Sequence, residues 1–310
     1  MTDEPDPQRT LALVAVSATT IVWGAVGVFV KLTSLTGLTF AMYRLWLGVL
    51  VHLVALGVTR RRLSWTTFLV CAPGGVLFAA DISLTFTSVK LTAVANAAII
   101  GALSPIMIML VAGRMFGERV GRREMALVAL SFAGVALVAV GASGSPAWSP
   151  LGDALAFLGT FSWTAYWIFS KRARATASAL EYMTSVMVVA ALTVTPVALL
   201  VGGVPPGAPE PKDWAVLVLV TLVPGMTGHL LVAWSHRHVE SWLSALITQC
   251  SPAVSAVTAW LVLGEPLTPL VVLGGAVVIT ATGLVIVDTS RRERAPGVPV
   301  EIEPATELPA

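Results

Sequence analysis

The sequence predicts an all-α integral membrane protein of ten transmembrane helices, arranged as two inverted five-helix repeats. Three observations carry that expectation: an apolar, charge-poor composition, a succession of membrane-length hydrophobic segments, and motifs that recur once at equal spacing. Of 310 residues, 56% are hydrophobic and 12% charged, and the mean hydropathy is +0.85, whereas soluble domains are roughly a quarter charged. The formal net charge is only +2. The bases sit in short loops rather than on one surface, so nucleic-acid binding has no footprint.

A helix needs about 20 mostly apolar residues to cross the hydrocarbon layer. Ten segments qualify, at residues 11–31, 38–57, 65–87, 92–113, 123–141, 151–170, 181–201, 214–234, 242–263 and 269–288. The first is preceded by an acidic tail, residues 1–10, and is too long for a signal-peptide core of roughly 7–15 residues, so it reads as an uncleaved span. Residues 289–310, rich in Pro and Glu, read as a disordered tail. Cys71 and Cys250 lie inside apolar runs without metal-ligand spacing and read as packing residues. No metal or cofactor is expected.

Basic residues in short loops stay on the cytoplasmic side during insertion. With ten spans and a cytoplasmic N-terminus, that side receives Arg9, Arg60–Arg62, Arg114, Arg119, Arg122, Arg123, Lys171, Arg172, Arg174, Arg237, Arg291, Arg292 and Arg294. The opposite side receives only Lys31, Lys90 and Lys212. A missed or extra span would scramble this segregation. The expected placement is the cell (inner) membrane with both termini cytoplasmic.

The repeat shows in paired motifs. Trp23 precedes Lys31 in WGAVGVFVK at the interval at which Trp163 precedes Lys171 in WTAYWIFSK. Ser104-Pro105 precedes Gly117-Glu118 at the interval at which Ser251-Pro252 precedes Gly264-Glu265, and Gly134 and Gly283 mark the fifth and tenth spans. Five spans per half is an odd number, so the second half, 151–288, enters the membrane opposite to the first, 11–141. Inverted repeats with midplane sites at broken helices are a recurring carrier architecture, and Pro105 and Pro252 are the candidate helix breaks.

In the order and duplication of these motifs the chain resembles the EamA-type transporters of the drug/metabolite transporter superfamily, over residues 10–288. The resemblance implies a ten-helix bundle with alternating access to a central cavity. It also implies a small-molecule substrate: an amino acid, a nucleotide-related metabolite, a sugar or a toxic compound. The halves have diverged: Pro266 stands where the first half has Arg119, and Arg44 has no basic counterpart near Ser185.

An intramembrane charge costs about 2.5–3.5 kcal/mol on insertion scales and is a functional candidate by default. Arg44 and Asp81 qualify. Counting inward at about 1.5 Å per residue places both roughly 8–9 Å below the outer end of their spans. There they would meet as a buried pair, serving either as a substrate and proton gate or as a static bridge between helices. Asn96 lies at similar outer depth. His229 and Gln249, with Glu181 and Tyr182 nearer the surface, form a second polar layer on the inner side; hydrogen bonding between helices is the alternative for each. His236 and His238 read as solvated loop residues and His52 as packing. Trp23, Trp163, Tyr166 and Trp167, on equivalent first and sixth spans, are candidates to line a cavity for flat or apolar substrates, or to pack the core. Trp46, Trp65, Trp148, Trp214, Trp242 and Trp260 lie near span ends or on packing faces, where interfacial anchoring explains them. Glu118 and Glu265 read as loop anchors, and the Gly113–Gly117 spacing is a weak signal for a homodimer.

Taken together, these features point to a secondary transporter for a small metabolite, working in the lipid bilayer by alternating access with proton coupling through Asp81. No Walker-type loop is present for ATP-driven transport. A membrane-embedded enzyme would need a nucleophile or metal motif such as HExxH or GxSxG, and neither occurs. A passive channel and a non-transporting membrane scaffold are the remaining alternatives.

Overall fold

The computed structural model describes residues 7–91, 97, 100–118, 120–142, 149–201, 209–264 and 267–293. These residues form α1 (Pro7–Lys31), α2 (Gly37–Val58), α3 (Trp65–Leu91), α4 (Ser104–Phe116), α5 (Arg122–Ala142), α6 (Pro150–Ala173) and α7 (Ala179–Val201). They continue as α8 (Pro211–Val220), a π-helical segment (Thr221–Gly228), α9 (His229–Ser235), α10 (Ser241–Thr248), α11 (Ser251–Leu263) and α12 (Pro269–Glu293). No strand occurs among the described residues.

Eight helices or helix runs are long and apolar enough to cross a membrane. Two of the ten expected segments fall outside that set for separate reasons. Helix α4 has only 13 described residues, because most of 92–103 lies outside the described residues. Helix α6 is long enough at 24 residues, but Thr, Ser, Trp and Tyr dilute its hydropathy. A helix that turns polar and aromatic side chains toward its neighbours need not be hydrophobic all round.

The packing repeats under exchange of the two halves. Helix α3 packs on α6 and α7, as the α8–π–α9 run packs on α1 and α2; α5 packs on α12, and α2 on α7; α1 packs on α11 as α6 packs on α4. The duplicated motifs occupy matching places. Helices α4 and α11 both begin at Ser-Pro, both run 13 residues, and both end on a left-handed glycine, Gly117 at φ 64° and Gly264 at φ 69°. Proline suits a first helical position because its missing N–H would be unpaired there, and glycine suits the left-handed cap because it has no Cβ. The break before Pro252 falls at Gln249 and Cys250, whose N–H groups tighten onto Leu246 (3.0 Å) and Ile247 (3.1 Å).

Contacts also fix which ends of the bundle face together. The start of α1 is tied to the turn before α10 through Arg9–Glu240 at 3.0 Å, and the end of α12 to the start of α5 through Asp288–Arg123 at 2.9 Å. Glu118, just before α5, accepts a hydrogen bond from Ser241 N at the start of α10. The start of α1 and the end of α12 therefore share one end, called here the termini end. At the distal end, Asp213 at the start of α8 accepts from Ser34 N (3.1 Å) and Ser34 Oγ (2.7 Å).

With lipid tails as apolar as leucine, helices associate through close fit rather than hydrophobic transfer. The α5–α12 crossing is the tightest case: a Cβ on Gly274 would stand 2.6 Å from Gly134 O and 2.6 Å from Val138 N, both backbone. Gly274→Ala should therefore destabilise by about 1–3 kcal/mol, the usual cost of overpacking. The check is a lower thermal midpoint in detergent beside Gly283→Ala, where a Cβ meets nothing within 4 Å. Equal midpoints would contradict the close crossing.

Candidate functional site

Pairing α3 with α6 leaves a cavity of about 230 Å³ between them and the chain ahead of α4. Asp81, Thr85 and Ser88 come from one face of α3, Ala156, Thr160 and Trp163 from α6, and Ala97 and Gly101 complete the wall. The i, i+4, i+7 spacing of each set follows from the helical period. Ser88 lies three residues from the end of α3 and Ala156 six from the start of α6, so the cavity sits in the distal half of the bundle. It is smaller than the roughly 300–1,000 Å³ of drug-sized sites and suits a compact solute.

Asp81 is the charged residue of this wall. Its carboxylate accepts a hydrogen bond from Thr85 Oγ1 at 3.2 Å. The expected ion pair with Arg44 is not made: no hydrogen bond or ion pair within 4 Å is formed by Arg44 among the described residues, although the two charges lie within electrostatic reach. Arg44 is 8% exposed and lies beside the π segment, where a Cβ on Gly225 would come 3.7 Å from its Nε and Nη2. A static bridge is thus absent, and the two charges interact only at longer range.

Beside these charges the aromatic candidates converge. Trp23 meets Trp163 edge-on at 5.7 Å, Trp163 lies 5.5 Å from Tyr166, and the His229 ring sits 4.8 Å from Trp23 and 5.0 Å from Phe78. His229, placed by the sequence in a separate inner layer, therefore belongs to the same central cluster as Trp163 and Asp81. The π segment explains why. Pro224 has no N–H to give the helix, Pro224 O accepts from Trp23 Nε1 at 3.0 Å, and Gly228 lets Trp23 approach. π-Helical turns are frequent at functional sites; a Pro-Gly pair inside an apolar run was the signal for one here.

Gln249 and Glu181 are committed elsewhere, whereas Tyr182 and Trp167 border the same aromatic cluster. Gln249 accepts from Ser131 Oγ at 2.8 Å and donates to Ala102 O at 2.5 Å, which ties α5 to the break before α11. Tyr182 is fully buried, stacked on Tyr166 at 6.4 Å. Trp167 is buried and donates to Ser241 O at 3.1 Å, and Trp242 is buried at 1% exposure rather than interfacial. Glu181 forms a reciprocal cap with Ser178 at the start of α7. Asn96, Trp148 and Glu265 lie outside the described residues. Among the described residues, no cluster of three or more His, Cys, Asp or Glu is placed to hold a metal.

The termini end carries a network that joins residues which sequence reading placed in separate loops, with Glu118 as a loop anchor and His236 as solvated. Glu118 Oε1 takes Lys171 Nζ at 2.6 Å and Ser241 N at 2.9 Å, and Lys171 also donates to Val239 O at 3.2 Å. Arg174 Nε donates to Ala233 O at 2.8 Å in the last turn of α9, while Arg237 donates to Arg174 O (2.5 Å) and Ala177 O (3.1 Å). Cations at helix C-termini complement the helix dipole and satisfy orphan carbonyls. Burial, and then repulsion from Arg237, bring the Arg174 pKa down to about 10, still cationic at neutral pH. His236 is 2% exposed rather than solvated, with Nδ1 3.0 Å from Ser170 Oγ and its ring against Trp167. Burial, with Lys171 and Arg174 nearby, holds its pKa well below the usual 6.5.

A multi-pass bundle of two exchanged halves with a charged cavity among its spans has the architecture of a membrane carrier. The chain belongs to the EamA-like transporter family, whose profile matches twice, over residues 10–140 and 150–287; members of that family are membrane transporters of the drug/metabolite type. A solved crystal structure superposes with a TM-score of 0.76 at 18% identity, covering 92% of this chain and 99% of that one, a likeness of fold. No curated protein matches the chain in sequence.

Two outcomes follow at the termini end. Glu118→Ala strands a mostly buried ammonium and should cost about 3–5 kcal/mol, whereas Glu118→Ala with Lys171→Met should recover much of it; additive thermal shifts would argue against the pair. For His236, the folded state binds a proton less readily than the unfolded chain. Stability is therefore full above about pH 6.5 and falls as acidification begins to protonate the unfolded chain's imidazole. His236→Gln should flatten the thermal midpoint between pH 7.5 and 5; an unchanged slope would remove His236 from that role.

Proposed function

We propose that the chain is a ten-span secondary carrier for a small metabolite. It works by alternating access, is coupled to protons through Asp81, and sits in the cell (inner) membrane with both termini cytoplasmic. One observation carries the reading: a cavity with an unbridged carboxylate lies in the distal half of the bundle, while the termini end is held by ion pairs and the buried Arg174. That asymmetry fits a carrier with its site accessible from one side at a time. The two segments needed to bring eight apolar helices to ten are α6 and the stretch ending in α4. With ten, the basic loops gather at the termini end, which the positive-inside rule assigns to the cytoplasm.

An aspartate inside a bilayer is costly as an anion and takes up a proton when no cation replaces it. In this reading Asp81 carries a proton in one direction and releases it when substrate arrives, so that a pH gradient drives net flux. Asp81→Asn should abolish pH-driven accumulation in proteoliposomes while substrate exchange persists once substrate concentration is raised to offset weaker binding. Counterflow separates the alternatives: preloading with an unlabelled metabolite should drive transient uptake of its labelled form above equilibrium. Monotonic equilibration across a metabolite panel would instead mark a channel. pH-driven uptake that Asp81→Asn leaves intact would rule out the coupling role.

A further inference from the structure

Two of the three hydroxyl hydrogens around the cavity are already committed, and this sets what the cavity can recognise. Thr85 Oγ1 donates to the Asp81 carboxylate, and Thr160 Oγ1 donates to Ala156 O at 2.9 Å. A hydroxyl has one donor and two acceptor lone pairs, so both threonines offer the cavity acceptors. Asp81, when ionised, is acceptor-only, with about four lone-pair sites, and Thr85 occupies one of them. Ser88 is 0% exposed, lines the cavity, and its Oγ has no hydrogen-bond partner. A buried hydroxyl left unpaired costs free energy until a ligand or water answers it. Trp163 adds an aromatic surface, which attracts cations through its ring quadrupole.

We infer that this cavity takes the protonated amine of a small solute, with the ammonium held between the Asp81 carboxylate and the hydroxyl oxygens of Ser88 and Thr160, against Trp163. An ammonium has three donors and no acceptor, the complement of an acceptor-lined wall. A carboxylate or phosphate would find the Ser88 hydrogen and the indole N–H of Trp163 as its side-chain donors on the wall and would meet Asp81 as a like charge. Arg44, the nearby cation, is not part of the cavity wall. The solute class is therefore a compact organic cation rather than an acid, and the small volume favours a primary amine with a short or flat apolar group. The inference deepens the carrier reading and rests on it for biological meaning, but binding itself is measurable without transport.

The test is equilibrium binding to the full-length protein in detergent, read by tryptophan fluorescence or calorimetry at pH 8. The probes are benzylamine, benzyl alcohol, benzoate and phenylglycine. Benzylamine should bind saturably and at least about tenfold more tightly than the alcohol of nearly the same shape, since a hydrogen bond to a charged group is worth that much. Benzoate should not compete. Asp81→Asn should weaken benzylamine about tenfold or more, and Ser88→Ala about 3- to 10-fold, while Ser162→Ala, on α6 but outside the cavity wall, should leave binding unchanged. Thermal midpoints near wild type certify that the variants fold. The inference is overturned if no amine binds at millimolar concentration, if the alcohol binds as well as the amine, or if Asp81→Asn binds normally. Tighter binding of phenylglycine, lost in Arg44→Gln, would also overturn it by making the zwitterion the ligand. Failure of counterflow with intact amine binding would sink the carrier reading alone.

Discussion

In hydrocarbon, no water answers a polar atom, so each N–H, carbonyl and hydroxyl must find its partner within the protein. Helices solve this for the backbone, and back-bonding to the preceding turn solves it for many serines and threonines; Thr20, Thr184, Ser185, Thr193 and Thr258 each donate to the carbonyl four residues earlier. Against that settled background the exceptions stand out. Ser88 beside the cavity, and Tyr182, Thr221, Trp242 and Ser244 in the packed centre, each keep a buried polar atom without a hydrogen-bond partner.

The second constraint is steric. Glycine marks the crossings where backbone meets backbone: Gly24 against Ser251 O on α11, Gly75 against Val186 O on α7, and Gly134 against Gly274 O on α12. These contacts use short side chains as spacers and leave the bulky ones to fill the centre. The rigid α5–α12 pair and the aromatic cluster thereby divide the labour. One holds the bundle, and the other surrounds the place where a solute would rest.

Much of this was legible in the chain. The helical class, the duplication and the Ser-Pro to Gly interval are one-dimensional signals, because helix period and cap chemistry are local. So was the presence of two intramembrane charges, Arg44 and Asp81, since charge in an apolar run is conspicuous. Their separation was not, because depth along a helix says nothing about the direction in which a side chain leaves it. The acceptor character of Thr85 and Thr160 was equally hidden, for it depends on which way each hydroxyl turns. His236 misled for the opposite reason: a loop position suggests water, but Trp167, Ser170 and the basic turn fold over it. The π segment left only the Pro224-Gly225 pair as a trace, and with it His229 moved from a separate layer into the centre.

The π segment has a mechanical implication. A helix that carries more residues per turn than its neighbours stores slack. If Thr221–Gly228 relaxed to ordinary α geometry, each residue of slack released would turn α9 by about 100° around its axis. That rotation would carry His229 out from between Trp23 and Phe78 and would pull on Ala233, whose carbonyl Arg174 grips at the far end. One local rewinding would thus act as a crankshaft, linking the aromatic centre to the basic plug roughly a helical turn away.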